Sequence, residues 1–378
     1  MRSDVKIPLL AAMLYYITVG MAQTMIILQA EVLGGKGIVG IVVGAPLLVV
    51  VISSSLWGYV ADYYKNRKRV VIISVAVIAL LYLPQPWVGA WGLVGIRIIQ
   101  ALFLGGVVHL STLFSELEPK QRGAYLGWLQ STSGFGWGFG GLIAGMLISI
   151  EKYGKGSSDV VLGFSICSIL AIISAIGMMS LPNTYENVKL GTAKKELFTL
   201  RNLWICATMV FAGYYFFLSF APSYFSEVMG SSEGMGYVMF ASGVVHAISA
   251  PYLGRLIDKM PREKSLKITI ICFIVCMATY TVTENKILTI LAFMPPVWML
   301  FQVTATSLVA DRISYANRAR AVGLLNSCMF FGAGMGGLLS GQLYDSYKNT
   351  EIFGIGTVII IIGLIFAFWI PKKLEMAD

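Results

Sequence analysis

The sequence predicts an all-helical membrane protein made of two related six-helix halves, and three observations carry that prediction. First, the chain is 57% hydrophobic and only 12% charged, with a mean hydropathy of +0.77, whereas a soluble domain is about 25% charged. Second, it is a succession of apolar runs between short charged loops, each with the roughly 20 residues that a helix needs to cross about 30 Å of hydrocarbon. Third, landmarks of the first half return 196 residues later in one ungapped register. This composition leaves no soluble domain of useful size.

In order, the apolar runs cover residues 8–29, 37–60, 70–87, 91–114, 123–149, 160–181, 203–226, 234–257, 266–283, 287–310, 319–344 and 352–370, giving twelve expected spans. The first run is too long for a signal-peptide core and no small-residue cleavage site follows it, so it reads as a mature span. Basic residues set the orientation. With the N-terminus inside, the inner segments hold 22 Lys and Arg, and the outer loops hold only Lys36, Lys152, Lys155, Lys286 and Lys348. Both termini are therefore expected in the cytoplasm, and the net charge of +9 needs no nucleic-acid partner to explain it. The longest inner linker, 182–201, separates an N-terminal bundle over 1–181 from a C-terminal bundle over 202–378. Cys167, Cys206, Cys272, Cys276 and Cys328 all fall inside apolar runs and read as core residues. Cys272 and Cys276 share a helix face, but no His or carboxylate beside them completes a metal site.

The repeat extends well beyond one motif. At the same offset Gly58 and Asp62 return as Gly254 and Asp258, residues 31–34 as 227–230, Arg122 as Arg318, Gly127 as Gly323, and the glycine-rich 136–142 as 332–338. An even number of spans per half gives both copies the same topology, which relates them by a two-fold axis along the membrane normal.

Residues 58–69 read Gly-Tyr-Val-Ala-Asp-Tyr-Tyr-Lys-Asn-Arg-Lys-Arg, and 254–262 read Gly-Arg-Leu-Ile-Asp-Lys-Met-Pro-Arg. Both resemble the signature Gly-x-Leu-Ala-Asp-Arg-x-Gly-Arg-Lys found between the second and third spans of the major facilitator superfamily, and the resemblance covers the whole chain. The first copy keeps Gly58, Ala61, Asp62 and Arg67 and departs at Tyr63, Lys65 and Asn66; the second keeps Gly254, Leu256, Asp258, Lys259 and Arg262, with Pro261 at the turn glycine. Arg97 to Ala101 resembles the family's Arg-x-x-Gln-Gly element. Residues 136–141 resemble its Gly-Pro-x-x-Gly-Gly antiporter element, with Trp137, and Ala333 in the second half, replacing proline. The resemblance implies two pseudo-symmetric six-helix bundles around a central cavity, working by alternating access without a cofactor. It also implies a cytoplasmic gate. Asp62 and Asp258 sit at helix C-termini, where the macrodipole disfavours a negative charge by about 0.3–1 kcal/mol. The family pattern holds each against a helix start of the opposite half: Asp62 with Arg67 and the eleventh span near Arg318, Asp258 with Arg262 and the fifth span near Arg122.

Arg97 is the one charge placed deep in a span. A centred arginine costs about 3 kcal/mol on insertion scales, so it must face the bundle interior or water, and Gln100 shares its face. It reads as an anion or carboxylate anchor, as an electrostatic control on a proton carrier, or as a structural arginine. The offset maps it to Phe293, so any cavity is asymmetric. Gln130 and Trp137 share a face of the fifth span, and Asn326 is the counterpart of Gln130; Tyr16 and Gln23 line a face of the first span, and Tyr214 lies on the seventh. These are the further cavity candidates, with helix packing as the alternative. Gly136/Gly140 and Gly332/Gly336 read as packing positions. His109 and His246 are the only groups inside spans that titrate near neutrality, and His246 is the first candidate for proton coupling. Glu31 and Glu227, at outer helix ends, come next. There is no Walker loop, no zinc-ligand spacing and no Ser/His/Asp set, so no catalytic residue, cofactor or metal is expected.

The expected function is secondary transport of a small organic solute. Arg97 tilts the cargo towards anions or carboxylates, with protons as the coupling ion. A cation in a low-dielectric cavity needs a counter-charge, and the spans hold no deep carboxylate. One alternative is an exporter of lipophilic, drug-like compounds, which the aromatic and Met-rich spans would accommodate. Another is a non-transporting sensor or scaffold, disfavoured because about eight residues follow the last run. The expected partners are the small-molecule substrate, protons and the lipid bilayer, for a monomer in a prokaryotic cytoplasmic membrane.

Overall fold

Inside hydrocarbon every backbone N–H and C=O must pair within the protein, and apolar runs of about 20 residues do so as helices. The computed structural model describes residues 3–117, 122–148, 155–183, 194–344 and 346–371, and among them there is no strand. The helices are α1 (Ser3–Tyr64), α2 (Arg67–Tyr82), α3 (Ala90–Val107), α4 (His109–Glu116), α5 (Arg122–Leu147), α6 (Ser158–Met178), α7 (Lys194–Thr199) and α8 (Arg201–Leu218). They continue with α9 (Ala221–Met229), α10 (Ser232–Asp258), α11 (Arg262–Val282), α12 (Lys286–Phe293), α13 (Val297–Arg312), α14 (Tyr315–Leu343) and α15 (Asn349–Phe368).

Every expected run coincides with helix, but the number of separate crossings does not come out as twelve. Among the described residues nine helical stretches are long and apolar enough to cross a membrane. The first two runs are continuous in α1, interrupted only at Gly34 and Gly35, where Gly35 takes a φ of 71° that glycine adopts without steric penalty. α5 and α10 have the length but fall short in apolarity, because glycines, hydroxyls and, in α10, His246 interrupt their apolar residues. Three other runs are broken helices: α3 gives way to α4 at Val108, α8 to α9 at Ser219 and Phe220, and α12 to α13 at the Pro295–Pro296 pair.

The chain folds into two compact units, one of Met1–Glu186 with Ser219–Ala250 and the other of Asn187–Leu218 with Pro251–Asp378. In the first, α1 packs on α3, α5 and α6, and α2 packs on α6. In the second, α8 packs on α14 and α15, and α11 packs on α13 and α15. The shared plan shows in its tightest seams. A Cβ on Gly140 of α5 would lie 2.1 Å from the Ile17 carbonyl oxygen of α1, and one on Gly336 of α14 would lie 2.1 Å from the Ala212 carbonyl oxygen of α8. Both approaches demand glycine, so the paired glycines of the repeat are packing positions.

A further seam explains why Ser219–Ala250 groups with the first unit although it follows the linker. A Cβ on Gly138 of α5 would stand 2.7 Å from the Gly243 Cα of α10, and one on Gly145 would stand 2.8 Å from the Gly236 Cα. The Ser232 hydroxyl closes this end by donating to the Ile148 carbonyl. By contrast, a side chain on Gly127, near the other end of α5, would meet open space.

Candidate functional site: an arginine within a span and two charged loops

Arg97 lies seven residues into α3 from its first residue, about 10 Å at 1.5 Å per residue. Its Nη1 donates to Gln100 Oε1 at 3.0 Å, the contact that the i, i+3 spacing predicts. Gln100 is 2% exposed. Arg97 Nε and Gln100 Nε2 are buried without a hydrogen-bond partner, and among the described residues no carboxylate lies within ion-pair distance of Arg97. Tyr15 of α1 and Tyr82 of α2 lie close enough to feel its charge. A forked, permanently charged donor with unused N–H groups matches a carboxylate or phosphate in shape as well as charge.

Candidates of the first and fifth spans meet across the seam between α1 and α5. Trp137 Nε1 donates to Gln23 Oε1 at 3.3 Å across the α1–α5 seam, and Tyr16 Cβ lies 2.8 Å from where a Cβ on Gly136 would stand. Gln130 of α5 and Asn326 of α14 are half-buried. Tyr214 is enclosed instead of open: its ring meets that of Phe273 at 5.0 Å, beside a Phe211, Trp298 and Phe301 cluster. Sequence reasoning passed over Tyr15 and Tyr82 because tyrosines in spans usually pack. It also passed over Gln29 and Gln85. Gln29 Nε2 donates to the Gln85 carbonyl at 3.0 Å, and both side-chain polar atoms of the fully buried Gln85 are unpartnered. A glutamine inside an apolar run, as Gln85 is, was the available signal.

The titratable candidates part ways. His246 sits on the α5–α10 seam, its Cβ 2.9 Å from where a Gly134 Cβ would stand. His109 packs over Gly58, which a Cβ would bring 3.7 Å from His109 Cε1, and it feels the charges of Arg67 and Asp62. It therefore belongs with the first gate motif. Glu227 is at the surface in an ion pair with Lys36 at 3.5 Å, and Glu31 is half-buried.

In the first gate motif Asp62 pairs with Arg67 at 3.7 Å. Two of the three departures from the family pattern, Lys65 and Asn66, have local reasons. Lys65 adopts a φ of 50°, the left-handed conformation for which the family uses glycine, a strain of about 1–2 kcal/mol for a residue with a Cβ. Asn66 caps α2, its Oδ1 accepting from the Arg69 N–H at 3.0 Å. In the second copy the side chains of Arg255 and Asp258, the local setting of Gly254, and the Arg122 side chain lie outside the described residues. Arg262 Nε pairs with Asp311 at 3.4 Å, Arg312 with Glu263, and Arg318 Nη2 donates to the Ala310 carbonyl at 2.6 Å.

Comparison with known proteins agrees with this architecture. The family model described as Major Facilitator Superfamily matches residues 9–301. The chain is 26% identical over 350 residues to a staphyloferrin B transporter of Staphylococcus aureus, covering 87% of this chain and 80% of that protein. It is 25% identical over 368 residues to the multidrug resistance protein MdtG of Yersinia enterocolitica, covering 88% and 83%. Among solved structures it superimposes on the xylose transporter XylE from E. coli in a partially occluded inward-open conformation, with a TM-score of 0.76, 14% identity and full coverage of both chains. It also superimposes on the nucleoside transporter NupG with a TM-score of 0.75, 16% identity and 98% coverage of each. The packed helical repeats, the duplicated charged loops and the match over most of its length establish that this chain belongs to the major facilitator superfamily.

Proposed function

We propose that this integral multi-pass membrane protein, a secondary transporter and not an enzyme, moves a small organic anion whose carboxylate docks on Arg97. The observation that carries the reading is a half-buried guanidinium whose buried Nε has no hydrogen-bond partner and which has no counter-ion among the described residues. Such a charge is costly in a membrane interior unless a ligand or water completes it. The chain is read as twelve crossings in a 6+6 arrangement divided at the linker, with both ends in the cytoplasm of a prokaryotic cell. Coupling is to protons, with His246 on the α5–α10 seam as the first carrier to test, and the working unit is a monomer. A second reading, export of lipophilic compounds, is favoured by the relative named for multidrug resistance and by the Phe135, Phe139 and Phe240 cluster. A thermal-shift screen of purified protein at two pH values separates the two. Carboxylates raise the melting temperature under the first reading, and lipophilic compounds alone do so under the second.

The charged loops act as the cytoplasmic gate in this reading. Asp62→Asn removes the charge that the first latch depends on, so the cytoplasmic side opens more often. Gly127→Cys provides a reporter on an open face of α5. Its labelling by an impermeant maleimide from the cytoplasmic side is expected to accelerate at least about fivefold in the Asp62→Asn background, the lower end of ordinary coupling between sites. An unchanged rate removes Asp62 from the gate.

A further inference from the structure

Two buried glutamines of the first compact unit play no part in the transport reading. Gln29 lies on α1 and is 1% exposed; Gln85 lies in the turn between α2 and α3 and is fully buried. Gln29 Nε2 donates to the Gln85 carbonyl at 3.0 Å, so the two residues meet directly. That bond also fixes the Gln29 amide, because exchanging its oxygen and nitrogen would set two acceptors against each other. Three polar atoms then have no partner among the described residues: Gln29 Oε1, Gln85 Oε1 and Gln85 Nε2. Exchanging the Gln85 amide leaves the same set, two acceptors and one donor.

The backbone of the turn is by contrast well bonded. The Trp87 N–H donates to the Pro84 carbonyl at 3.1 Å, and the Gly156 N–H, two residues before α6, donates to the Pro86 carbonyl at 2.8 Å. The turn is therefore held to α1 and to the approach to α6, and the side-chain amides are what lack a partner. A buried amide with nothing to bond is destabilising.

The donor and acceptor count selects the class of partner. A cation would satisfy the two oxygens and be repelled by the amide N–H groups, and an anion would satisfy the N–H groups and be repelled by the oxygens. A water molecule donates twice and accepts twice. One water thus serves both oxygens and accepts from Gln85 Nε2, which is about the three hydrogen bonds that a buried water typically makes. We propose that Gln29 and Gln85 form an internal water-binding site, and that the bound water locks the α2–α3 turn onto α1. α3 begins at Ala90, five residues after Gln85, and carries Arg97, so the lock sets where along α1 that helix starts. The proposal is independent of the cargo and gate readings.

The direct test is a density map of full-length wild-type protein in lipid nanodiscs, at a resolution that shows ordered water. One rounded peak is expected within about 2.7–3.2 Å of Gln29 Oε1 and of both polar atoms of Gln85. Amides packed onto protein atoms without a peak, or an elongated density from a larger solute, overturn the proposal. Gln85→Met gives a second test, because it keeps the side-chain length and removes both polar atoms. The water site predicts a melting temperature lower by about 2 °C or more. Hydrogen–deuterium exchange across residues 83–93 is expected to accelerate about fivefold or more, the factor for losing one net hydrogen bond. Were the three atoms simply unpaired, the substitution would remove a penalty, and a melting temperature that holds or rises refutes the water site. A lower melting temperature without faster exchange in the turn assigns Gln85 to packing and refutes the lock. The wild-type map decides the matter if the variant does not fold.

Discussion

Replacing Gly140 with leucine is expected to leave little or no folded, monodisperse protein in detergent. A Cβ at this position would lie 2.1 Å from the Ile17 carbonyl oxygen and 2.6 Å from the Met21 nitrogen. Both obstacles are backbone, so no side chain can turn aside, and α1 and α5 must separate along their tightest seam. Overpacking of an ordinary core costs about 1–3 kcal/mol, and a backbone obstacle places this case at or beyond the upper end. Gly336→Leu is expected to match it, because that residue meets the Ala212 carbonyl in the same way. Gly127→Leu is the control: its side chain enters open space, and elution and melting should stay near wild type. A Gly140→Leu protein with normal melting would mean that the seam is looser than described.

Arg97→Gln is expected to reduce transport of an anionic cargo by about 10- to 150-fold. The estimate converts the about 1.5–3 kcal/mol of hydrogen bonding to a charged group, at 1.4 kcal/mol per tenfold change. Arg97→Lys keeps the charge but loses the fork, so an intermediate loss is expected. Thermal stability is expected to hold or rise in Arg97→Gln, because the substitution removes a charge from a desolvated site that has only Gln100 as a described hydrogen-bond partner. That split distinguishes an anchor from a structural arginine. A structural role predicts loss of melting temperature together with equal loss of transport for charged and uncharged cargo.

Much of this was legible in the sequence, for reasons tied to particular residues. Apolar length announces a helix, so every run landed on one. The 196-residue offset was legible because backbone approaches such as Gly140 on Ile17 and Gly336 on Ala212 restrict both copies to glycine. The breaks at Val108 and Ser219 were hidden, because a run read for hydrophobicity continues unchanged through a local turn. The first two spans ran together in α1 because Gly34 and Gly35 interrupt the helix without ending it. Arg97 and Gln100 announced themselves as a deep charge with a partner three residues on, whereas Tyr15 and Tyr82 reach Arg97 only through packing between separate helices. Asn66 looked like a departure from a motif and proved to be a helix cap. The hydrogen bonds from Ser314 to the Glu196 carboxylate were hidden because the two residues stand 118 positions apart in sequence.

The central claim is that the transported molecule carries a negative charge received by Arg97. Its most direct test is gradient-driven flux in proteoliposomes of wild-type protein and Arg97→Gln, comparing a carboxylate found in the thermal-shift screen with its uncharged amide. The account predicts that wild type moves the carboxylate at least about tenfold faster than the amide, and that Arg97→Gln erases the difference by losing the carboxylate flux. Equal movement of both by wild type, or a preference for the carboxylate that survives in Arg97→Gln, would contradict it.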